Sequence, residues 1–390
     1  MPDTRTQPAR PAGLKLAEAR QAAFATLLAV DRGAWSAEAL AAKSQFLQPR
    51  DAALASDIVF GTLRRKGELD FVMGKCSSRP VVDLDVNVRI ALEMALYQLM
   101  FLDRVPPHAV VNDAVELTRR AGEVSAVPFV NAVLRRALRE QPEAPELAST
   151  PDWILRSWTR KFGSPAARAI ALASLVQPRR YVRVGGGVPP EGAVATDVAG
   201  CYELPSGSPA GCRFQDIGSQ AVVPLLELRP GQTFLDVCAA PGNKTAQALE
   251  TSLKAVACEL HPSRARGLRS LGIPVVVADA TKPLPFSTRF ERILVDAPCT
   301  GTGTLARNPE IKWRLTPDDL PDLHSRQLGI LRNALERLAP GGLLVYATCS
   351  LEREENEDVV AASGARVIKT MQRLPGRDPG DGFFAAVMTR

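Results

Sequence analysis

Residues 234–245 read Phe-Leu-Asp-Val-Cys-Ala-Ala-Pro-Gly-Asn-Lys-Thr. The apolar start predicts a buried strand, and the Pro-Gly pair predicts a tight loop that leads into a helix. Small side chains at Ala239, Ala240 and Gly242 let a ligand approach the backbone, and the N-terminus of a helix presents unpaired N–H groups to an anion. Small residues in such a turn can also serve only the close packing of the strand against the helix. The glycine fingerprint of dinucleotide-binding folds is absent, which weakens a nicotinamide interpretation.

The same order of strand, loop and helix recurs from Phe214 to the end of the chain. Alternating strands and helices indicate a doubly wound parallel sheet, in which ligands bind beyond the carboxyl ends of the strands. Strands are predicted at 233–237, 255–259, 275–278, 292–295, 343–347, 367–371 and 383–388.

The N-terminal third is predicted to be helical, because apolar residues recur there at spacings of three and four. The pair Pro106-Pro107 marks the start of one predicted helix and Pro128 the start of another. The helices are predicted at 19–30, 52–63, 88–102, 110–120 and 129–139. The predicted domains are an all-α bundle at 14–141, a small α+β connecting subdomain at 152–213 and an α/β domain at 214–390.

Basic residues are concentrated between Arg156 and Arg183, a stretch without Asp or Glu in a chain of 390 residues with net charge +6. A solvated helix face usually mixes signs, so we expect a surface that contacts phosphates. The alternative is a basic face that only keeps the protein soluble. The residues concerned are Arg156, Arg160, Lys161, Arg168, Arg179, Arg180 and Arg183.

The seven cysteines include no C-x-x-C pair, so neither a disulfide framework nor a zinc site is expected. Residues 1–13 lack the apolar core of a signal peptide, and the most apolar stretch, 90–102, is too short to cross a bilayer. We therefore expect a monomer in a reducing cytoplasm, with no membrane contact and no metal.

Two acids follow consecutive predicted strands. Glu259 ends the second strand, where a carboxylate can accept hydrogen bonds from both hydroxyls of a ribose, and Asp279 follows the third, where it can accept from an adenine amino group. Either acid alone could be a helix cap. Beside the small-residue loop, the two together favour a nucleoside site.

Two thiols follow the next strands. Asp296 and Cys299 come after the fourth strand and Cys349 after the fifth, so their loops are expected to be neighbours on one edge of the sheet. A buried structural cysteine is the usual alternative for either one, and a disulfide switch is another. Paired thiols beside a nucleoside site suit methylation of a pyrimidine at C5, because a thiolate that adds to C6 makes C5 nucleophilic.

That chemistry predicts further roles. Lys244 is a candidate for the positive charge that favours a thiolate, although it could also be a surface lysine. Asp296 is a candidate for hydrogen bonding or protonating cytosine N3 as charge develops there. A second thiol could assist loss of the C5 proton and release of the first.

At these residues the chain resembles the RNA 5-methylcytosine methyltransferase family (Sun/Nop2) and its bacterial 16S rRNA methyltransferase B branch. The segments that carry the resemblance are 214–220, 236–245, 296–303, 348–350, Glu355-Asn356-Glu357 and 381–384. Residues 14–141 are similar to the NusB fold, which binds RNA in antitermination. Arg50-Asp51, Asn112, Glu116 and 129–134 carry that similarity.

The resemblance implies a Rossmann-like class I methyltransferase domain with S-adenosyl-L-methionine as cofactor. It implies that Cys349 attacks C6 and that Cys299 serves breakdown of the covalent adduct. It also implies that the following residues contact the cofactor or the target base: Cys238, Ala239, Ala240, Pro241, Gly242, Asn243, Lys244, Glu259, Asp279 and Asp296. The family usually has Gly where Asn243 stands, and Asn adopts left-handed backbone angles more readily than other non-glycine residues, so we expect the turn to be kept.

The leading hypothesis is a cytosine-C5 methyltransferase whose partner is 16S rRNA or a small-subunit assembly intermediate. The target base must reach the edge of the sheet from a loop or by flipping. A second hypothesis is a NusB-type RNA-binding factor with a vestigial methyltransferase half, which the complete set of cysteines and acids opposes. A nicotinamide-dependent oxidoreductase would have no use for two thiols.

Overall fold

The computed structural model describes residues 17–205, 207 and 211–390. It divides into two compact units, the first ending at Ala148 and the second running from Ser149 to Arg390. The predicted polar segment 1–13 and the first residues of the predicted domain at 14–141 lie outside the described part of the chain. The stretch predicted as a separate connecting subdomain, 152–213, belongs to the second unit.

The first unit is a bundle of α-helices, as the apolar spacing predicted. Pro107 is the first residue of α5, where its missing N–H costs no helical hydrogen bond. The helix α2 was not predicted from the sequence, and α3 extends well beyond the predicted segment 52–63. The helices are α1 Glu18–Asp31, α2 Ser36–Ser44, α3 Pro49–Cys76, α4 Val86–Phe101, α5 Pro107–Arg120 and α6 Val127–Glu140.

The core of this bundle forms around α4, which is apolar on nearly all sides. Ile90 and Met94 pack into one hydrophobic cluster with α1 and α3, and Leu92 and Leu96 pack into another with α5 and α6. A helix with apolar residues all round must be covered on every side, which explains its central position.

The second unit begins with two helices and a small antiparallel sheet. Its strands are β1 Tyr181–Arg183, β2 Val194–Ala195, β3 Cys201–Glu203 and β4 Arg213–Phe214, in the order β2-β3-β1-β4. The helices of the unit are α7 Asp152–Phe162, α8 Ser164–Ala173, α9 Ile217–Val222, α10 Asn243–Ala248, α11 Pro262–Leu268, α12 Ile311–Arg314, α13 Asp319–Glu336 and α14 Glu357–Ser363.

A seven-stranded sheet forms the centre of the unit, in the order β10-β11-β9-β8-β5-β6-β7. Neighbouring strands from β5 to β9 run parallel, whereas β11 runs antiparallel to both β9 and β10. The prediction of a parallel sheet therefore holds for β5 to β9, whereas β11 runs in the opposite direction and makes both of its pairings antiparallel. The strands are β5 Thr233–Asp236, β6 Lys254–Glu259, β7 Val275–Val277, β8 Phe290–Asp296, β9 Leu338–Thr348, β10 Arg366–Arg373 and β11 Phe383–Thr389.

Apolar side chains cover both faces of this sheet, because alternate residues of a strand point to opposite sides. In β8, Ile293 and Val295 belong to one hydrophobic cluster and Leu294 belongs to another. Burial on both faces leaves the ends of the strands as the place where polar side chains gather.

The turn between β5 and α10 is kept, but its left-handed residue is not Asn243. Gly242 has φ 105°, and Asn243 is the first residue of α10. A Cβ atom at Gly242 would also lie 2.8 Å from Cδ2 of Leu268. Glycine is therefore needed at 242 for both its backbone angle and its size, and position 243 tolerates a side chain.

Candidate active site

The two predicted thiols meet at one edge of the sheet. Strands β8 and β9 are paired in parallel with Asp296 opposite Ala347, so the loops that follow them lie side by side. The Sγ atoms of Cys299 and Cys349 are 3.4 Å apart, within hydrogen-bond distance for sulfur. Both residues are half-buried.

The two sulfur atoms are not equivalent. The hydrogen bond with Cys349 raises the pKa of Cys299 well above its ordinary value, and burial together with the negative charges of Cys349, Glu355 and Asp296 raises it further. Cys299 therefore keeps its proton and can donate it in a hydrogen bond to the sulfur of Cys349.

A buried carboxylate holds both thiol loops. Glu355 Oε1 accepts the backbone N–H of Thr300 at 2.9 Å and the Nε2 of Gln327 at 2.8 Å. Gln327 also donates to the carbonyl oxygen of Pro298 at 2.9 Å. Sequence reasoning assigned Glu355 no role of its own, and the family motif at 355–357 was the only signal that pointed to it.

Lys244 and Asp296 form an ion pair beside the thiols. Lys244 Nζ donates to Asp296 Oδ2 at 2.6 Å and lies 5.0 Å from the centre of the Phe383 ring. Burial acts to lower the pKa of Lys244, but the charge and hydrogen bond of Asp296 outweigh it, so that the pKa is raised, with the charge of Cys349 adding to the effect. Lys244 is therefore held as a cation close to Cys349, and it is not a surface lysine.

One cavity of about 550 Å³ joins these groups to the predicted nucleoside site. Its volume is in the range of small-molecule sites. Of the predicted residues, it is lined by Cys238, Ala240, Lys244, Glu259, Asp279, Asp296, Cys299 and Cys349. Four predicted residues of the loop, Ala239, Pro241, Gly242 and Asn243, are not among its lining residues, and their contribution is to the shape of the loop.

The two acids of the predicted nucleoside site differ in their surroundings. Glu259 is buried, and its oxygens accept the N–H of Ala240 at 3.3 Å and the N–H of His261 at 3.0 Å. Asp279 is exposed, and its Oδ1 accepts both the N–H and the hydroxyl of Thr281. Those hydrogen bonds lower the pKa of Asp279. Because a carboxylate oxygen accepts more than one hydrogen bond, both acids can still take a ligand donor.

Asp236, at the end of β5, was not predicted as a site residue. It is almost fully buried, and its Oδ2 accepts the hydroxyl of Thr245 at 2.7 Å, while Oδ1 has no partner among the described residues. Burial raises its pKa to about 7, against the effect of the Thr245 hydrogen bond. The carboxyl links β5 to the first turn of α10 and so supports the loop between them, which includes Cys238 and Ala240.

The seven basic residues do not form one shared cationic face. Lys161 Nζ binds Glu357 at 2.7 Å, Arg183 binds Glu250 and Arg179 binds Glu203. Arg180 lies over the Phe214 ring and donates to the carbonyl oxygen of Gly207. Arg156, Arg160 and Arg168 are exposed. The sequence stretch lacks acids, but acids from other parts of the unit pair with several of its cations.

Within the described part of the chain, no helix is both long and apolar enough to cross a membrane. Among the same residues, no cluster of His, Cys, Asp and Glu is arranged to hold a metal ion.

The fold and the site together define a methyltransferase with an N-terminal NusB-like bundle. Residues 223–367 match the family model of 16S rRNA methyltransferase RsmB/F, and residues 17–139 match the NusB family. A crystal structure titled PH0851 matches 99% of this chain and all of its own with a TM-score of 0.81, and its 20% identity supports the fold alone.

Two curated relatives are similar over most of their length. The probable ribosomal RNA small subunit methyltransferase B of Bacillus subtilis is 31% identical over 82% of this chain and 81% of its own. Ribosomal RNA small subunit methyltransferase B of Cronobacter sakazakii is 31% identical over 87% of this chain and 91% of its own. The chain belongs to the ribosomal RNA small subunit methyltransferase B family.

Family membership confirms the predicted fold class and the predicted cofactor, S-adenosyl-L-methionine. The residues at the cavity suit that molecule. Glu259 and Asp279 are acceptors for hydroxyl and amino donors, and the small Ala240 side chain leaves room for a ligand against the loop.

Proposed function

We propose that this protein transfers a methyl group to C5 of a specific cytosine in 16S rRNA through a covalent adduct between Cys349 and C6. The observation that carries the proposal is the pair of thiols 3.4 Å apart in the cavity that also contains Lys244, Asp296 and the two acids. The reaction needs a nucleophile, a group at N3 and a group that handles the C5 proton, and this cavity offers a candidate for each.

Cys349 is the proposed nucleophile. Its thiolate adds to C6, and the electrons of the C5=C6 bond move towards C4 and N3, which leaves C5 nucleophilic. Two features support this choice over Cys299. The raised pKa of Cys299 keeps that thiol protonated, and the Lys244 ammonium provides positive charge near Cys349.

Asp296 is the proposed contact for cytosine N3. Charge that develops on N3 as C6 is attacked is offset by a hydrogen bond or a proton delivered there. Lys244 donates to Asp296 at 2.6 Å, so as charge develops on N3 a proton of the ammonium can pass to the Asp296 carboxylate and from there to N3, which leaves Lys244 as a neutral amine. When the aromatic ring is restored, the same pair takes the proton back.

Cys299 is proposed to act after methyl transfer. The C5 proton must leave, so that the C5–H electrons re-form the C5=C6 bond and expel the Cys349 thiolate. Cys299 lies within hydrogen-bond distance of Cys349 and lines the same cavity. As the adduct breaks down, the Cys299 thiol can give its proton to the departing Cys349 sulfur and take the C5 proton in exchange, so that both cysteines end as thiols and one proton is later released to solvent.

S-adenosyl-L-methionine supplies the electrophilic methyl group. The proposed contacts of this chain are Glu259 with the ribose hydroxyls, Asp279 with the adenine amino group, and the backbone around Cys238 and Ala240 with the remainder of the cofactor. The substrate class follows from the names of the relatives, which are ribosomal RNA small subunit methyltransferases. The proposed phosphate contacts are Arg156 and Arg160, with the NusB-like bundle as a further RNA-binding part.

The decisive experiment compares two cysteine variants on unmethylated 16S rRNA with S-adenosyl-L-methionine. Cys349→Ala is expected to abolish both methylation and any covalent protein–RNA adduct. Cys299→Ala is expected to accumulate an adduct that survives a denaturing gel. Cys212→Ser, a half-buried cysteine of the small sheet region, is the matched control and should behave like the wild type.

Exchanged behaviour of the Cys349 and Cys299 variants would reverse the two roles. Bisulfite sequencing of rRNA from a strain that lacks the gene identifies the nucleotide. If the 16S rRNA of that strain has the same 5-methylcytosines as the rRNA of the parent strain, the proposed substrate is wrong.

A further inference from the structure

The helix α7 is attached to the loop of the proposed nucleophile through one of its faces. Trp158 Nε1 and Ser157 Oγ donate to the buried carboxylate of Glu352 at 3.0 and 2.7 Å. Lys161 Nζ donates to the carbonyl oxygen of Leu351 at 3.0 Å. Leu351 and Glu352 follow Cys349 by two and three residues, so the position of α7 is tied closely to that of the thiol.

Another face of the same helix borders a cavity. Trp153, Arg156 and Arg160 are separated by three and four residues, and such residues lie on one side of an α-helix. They line a cavity of about 780 Å³, larger than the cofactor cavity, whose opposite wall includes Leu320 and Pro321 of α13.

This cavity combines an apolar surface with cations at its border. Neither Arg156 nor Arg160 takes part in an ion pair among the described residues, and both are exposed. Of the acids that line the cavity, Asp358 is neutralised by Arg353 at 3.0 Å. Glu354 also lines it and can accept a hydrogen bond from an amino group.

We propose that this cavity binds a nucleobase of the RNA substrate near the target cytosine, with the ring stacked on Trp153 and the adjoining phosphates bound by Arg156 and Arg160. The inference rests on the proposed function for the identity of the substrate. Unpaired bases in RNA stack on aromatic and apolar side chains, while arginines bind the backbone beside them. Because α7 is bonded to the Cys349 loop, a base held there fixes the RNA relative to the nucleophile.

The test measures binding of unmethylated 16S rRNA to full-length variants at several salt concentrations. Trp153→Ala is expected to raise the Kd about 5- to 150-fold, the range for loss of one stacked base, and Trp153→Phe should recover most of the affinity. The double variant Arg156→Gln/Arg160→Gln should lower the slope of log K against log salt by about two. Calorimetry with S-adenosyl-L-methionine should give wild-type affinity for each variant, which shows that the unit is folded.

The matched control is Arg269→Gln/Arg366→Gln, which removes the same charge from two exposed arginines that do not line this cavity. If the Arg156/Arg160 pair loses no more affinity than this control, or if Trp153→Ala binds RNA like the wild type, the inference is overturned. The inference would also be overturned if the variants bound naked rRNA as tightly as the wild type does but bound small-subunit particles more weakly. The cavity would then take a protein segment of the particle. Absence of the Cys349 adduct in the wild-type protein, with RNA binding still dependent on Trp153, would instead reject the proposed chemistry and leave the cavity assignment standing.

Discussion

Thr300 and Ser350 donate their hydroxyl hydrogen bonds to the same atom, Oε2 of Glu355, each at 2.5 Å. Thr300 follows Cys299 and Ser350 follows Cys349, so one carboxylate sets the spacing of the two loops. The three residues are buried, and a buried polar group left without its partner costs about 1–3 kcal/mol.

Glu355→Gln is therefore expected to lower the free energy of unfolding by about 1–3 kcal/mol, because an amide nitrogen cannot accept a hydrogen bond. Methylation at saturating RNA should fall about tenfold or more, since displacement of the thiols misaligns attack. Urea unfolding and initial methylation rates measure the two effects. Glu336→Gln, at an exposed position, is the control and should change neither; wild-type activity in Glu355→Gln would contradict a role in holding the thiols.

Lys244 and Asp296 are expected to act as a unit. Lys244→Met and Asp296→Asn should each lower kcat about 10²- to 10³-fold, the usual effect of removing one group that stabilises developing charge. The double variant should be no worse than the poorer single variant, because either change breaks the same pair. Single-turnover methylation measures this, and Lys254→Met, at an exposed position of β6, is the control. Fully additive losses would show that the two residues act separately.

Gly303 is hydrogen-bonded to the backbone of two other segments of the chain. Its N–H donates to the carbonyl oxygen of Cys349 and its carbonyl oxygen accepts the N–H of Gly382, both at 2.8 Å. A Cβ atom at 303 would lie 2.3 Å from the carbonyl oxygen of Gly382 and 2.7 Å from that of Cys349, so Gly303→Ala must displace the backbone at one or both of these residues. We expect a loss of stability of about 1–3 kcal/mol and strongly reduced methylation.

Gly267, in α11, provides the matched control for that substitution. A Cβ atom there would meet nothing within 4 Å, so Gly267→Ala should be neutral or stabilising by about 0.5–1 kcal/mol. Thermal unfolding of both variants tests the comparison. Equal stability of the two would contradict the close packing around Gly303.

The buried carboxyl of Asp236 is expected to make the free energy of unfolding depend on pH. Burial raises its pKa to about 7, whereas an unfolded Asp titrates near pH 3.9. Between these values the folded protein binds a proton that the unfolded chain has lost. The contribution of Asp236 to the free energy of unfolding therefore falls as pH rises through this window, by up to about 1.4 kcal/mol per pH unit.

Asp236→Asn removes this contribution and can still accept from Thr245. The stability of the variant relative to the wild type is expected to increase from about pH 4 to 7 and then to level off. Urea unfolding of both proteins across that range measures the difference. A difference that does not change with pH would show that the carboxyl does not titrate in this window.

Local patterns in the sequence predicted the helices around 19–30 and 88–102, the strand before Cys238 and the polar residues at the strand ends. Apolar periodicity and turn-forming residues act over a few positions, so they can be recognised from the sequence without knowledge of the fold. The neighbourhood of Cys299 and Cys349 was also predictable, because parallel strands place their carboxyl ends on one edge.

Other features depend on contacts between distant parts of the chain. Glu357 and Glu250 neutralise Lys161 and Arg183, which the sequence alone indicated as phosphate contacts. The role of Glu355 and the tie between α7 and the Cys349 loop arise in the same way. Each joins residues far apart in sequence, whose meeting depends on chain topology and packing, and no local pattern encodes which acid will lie beside which cation.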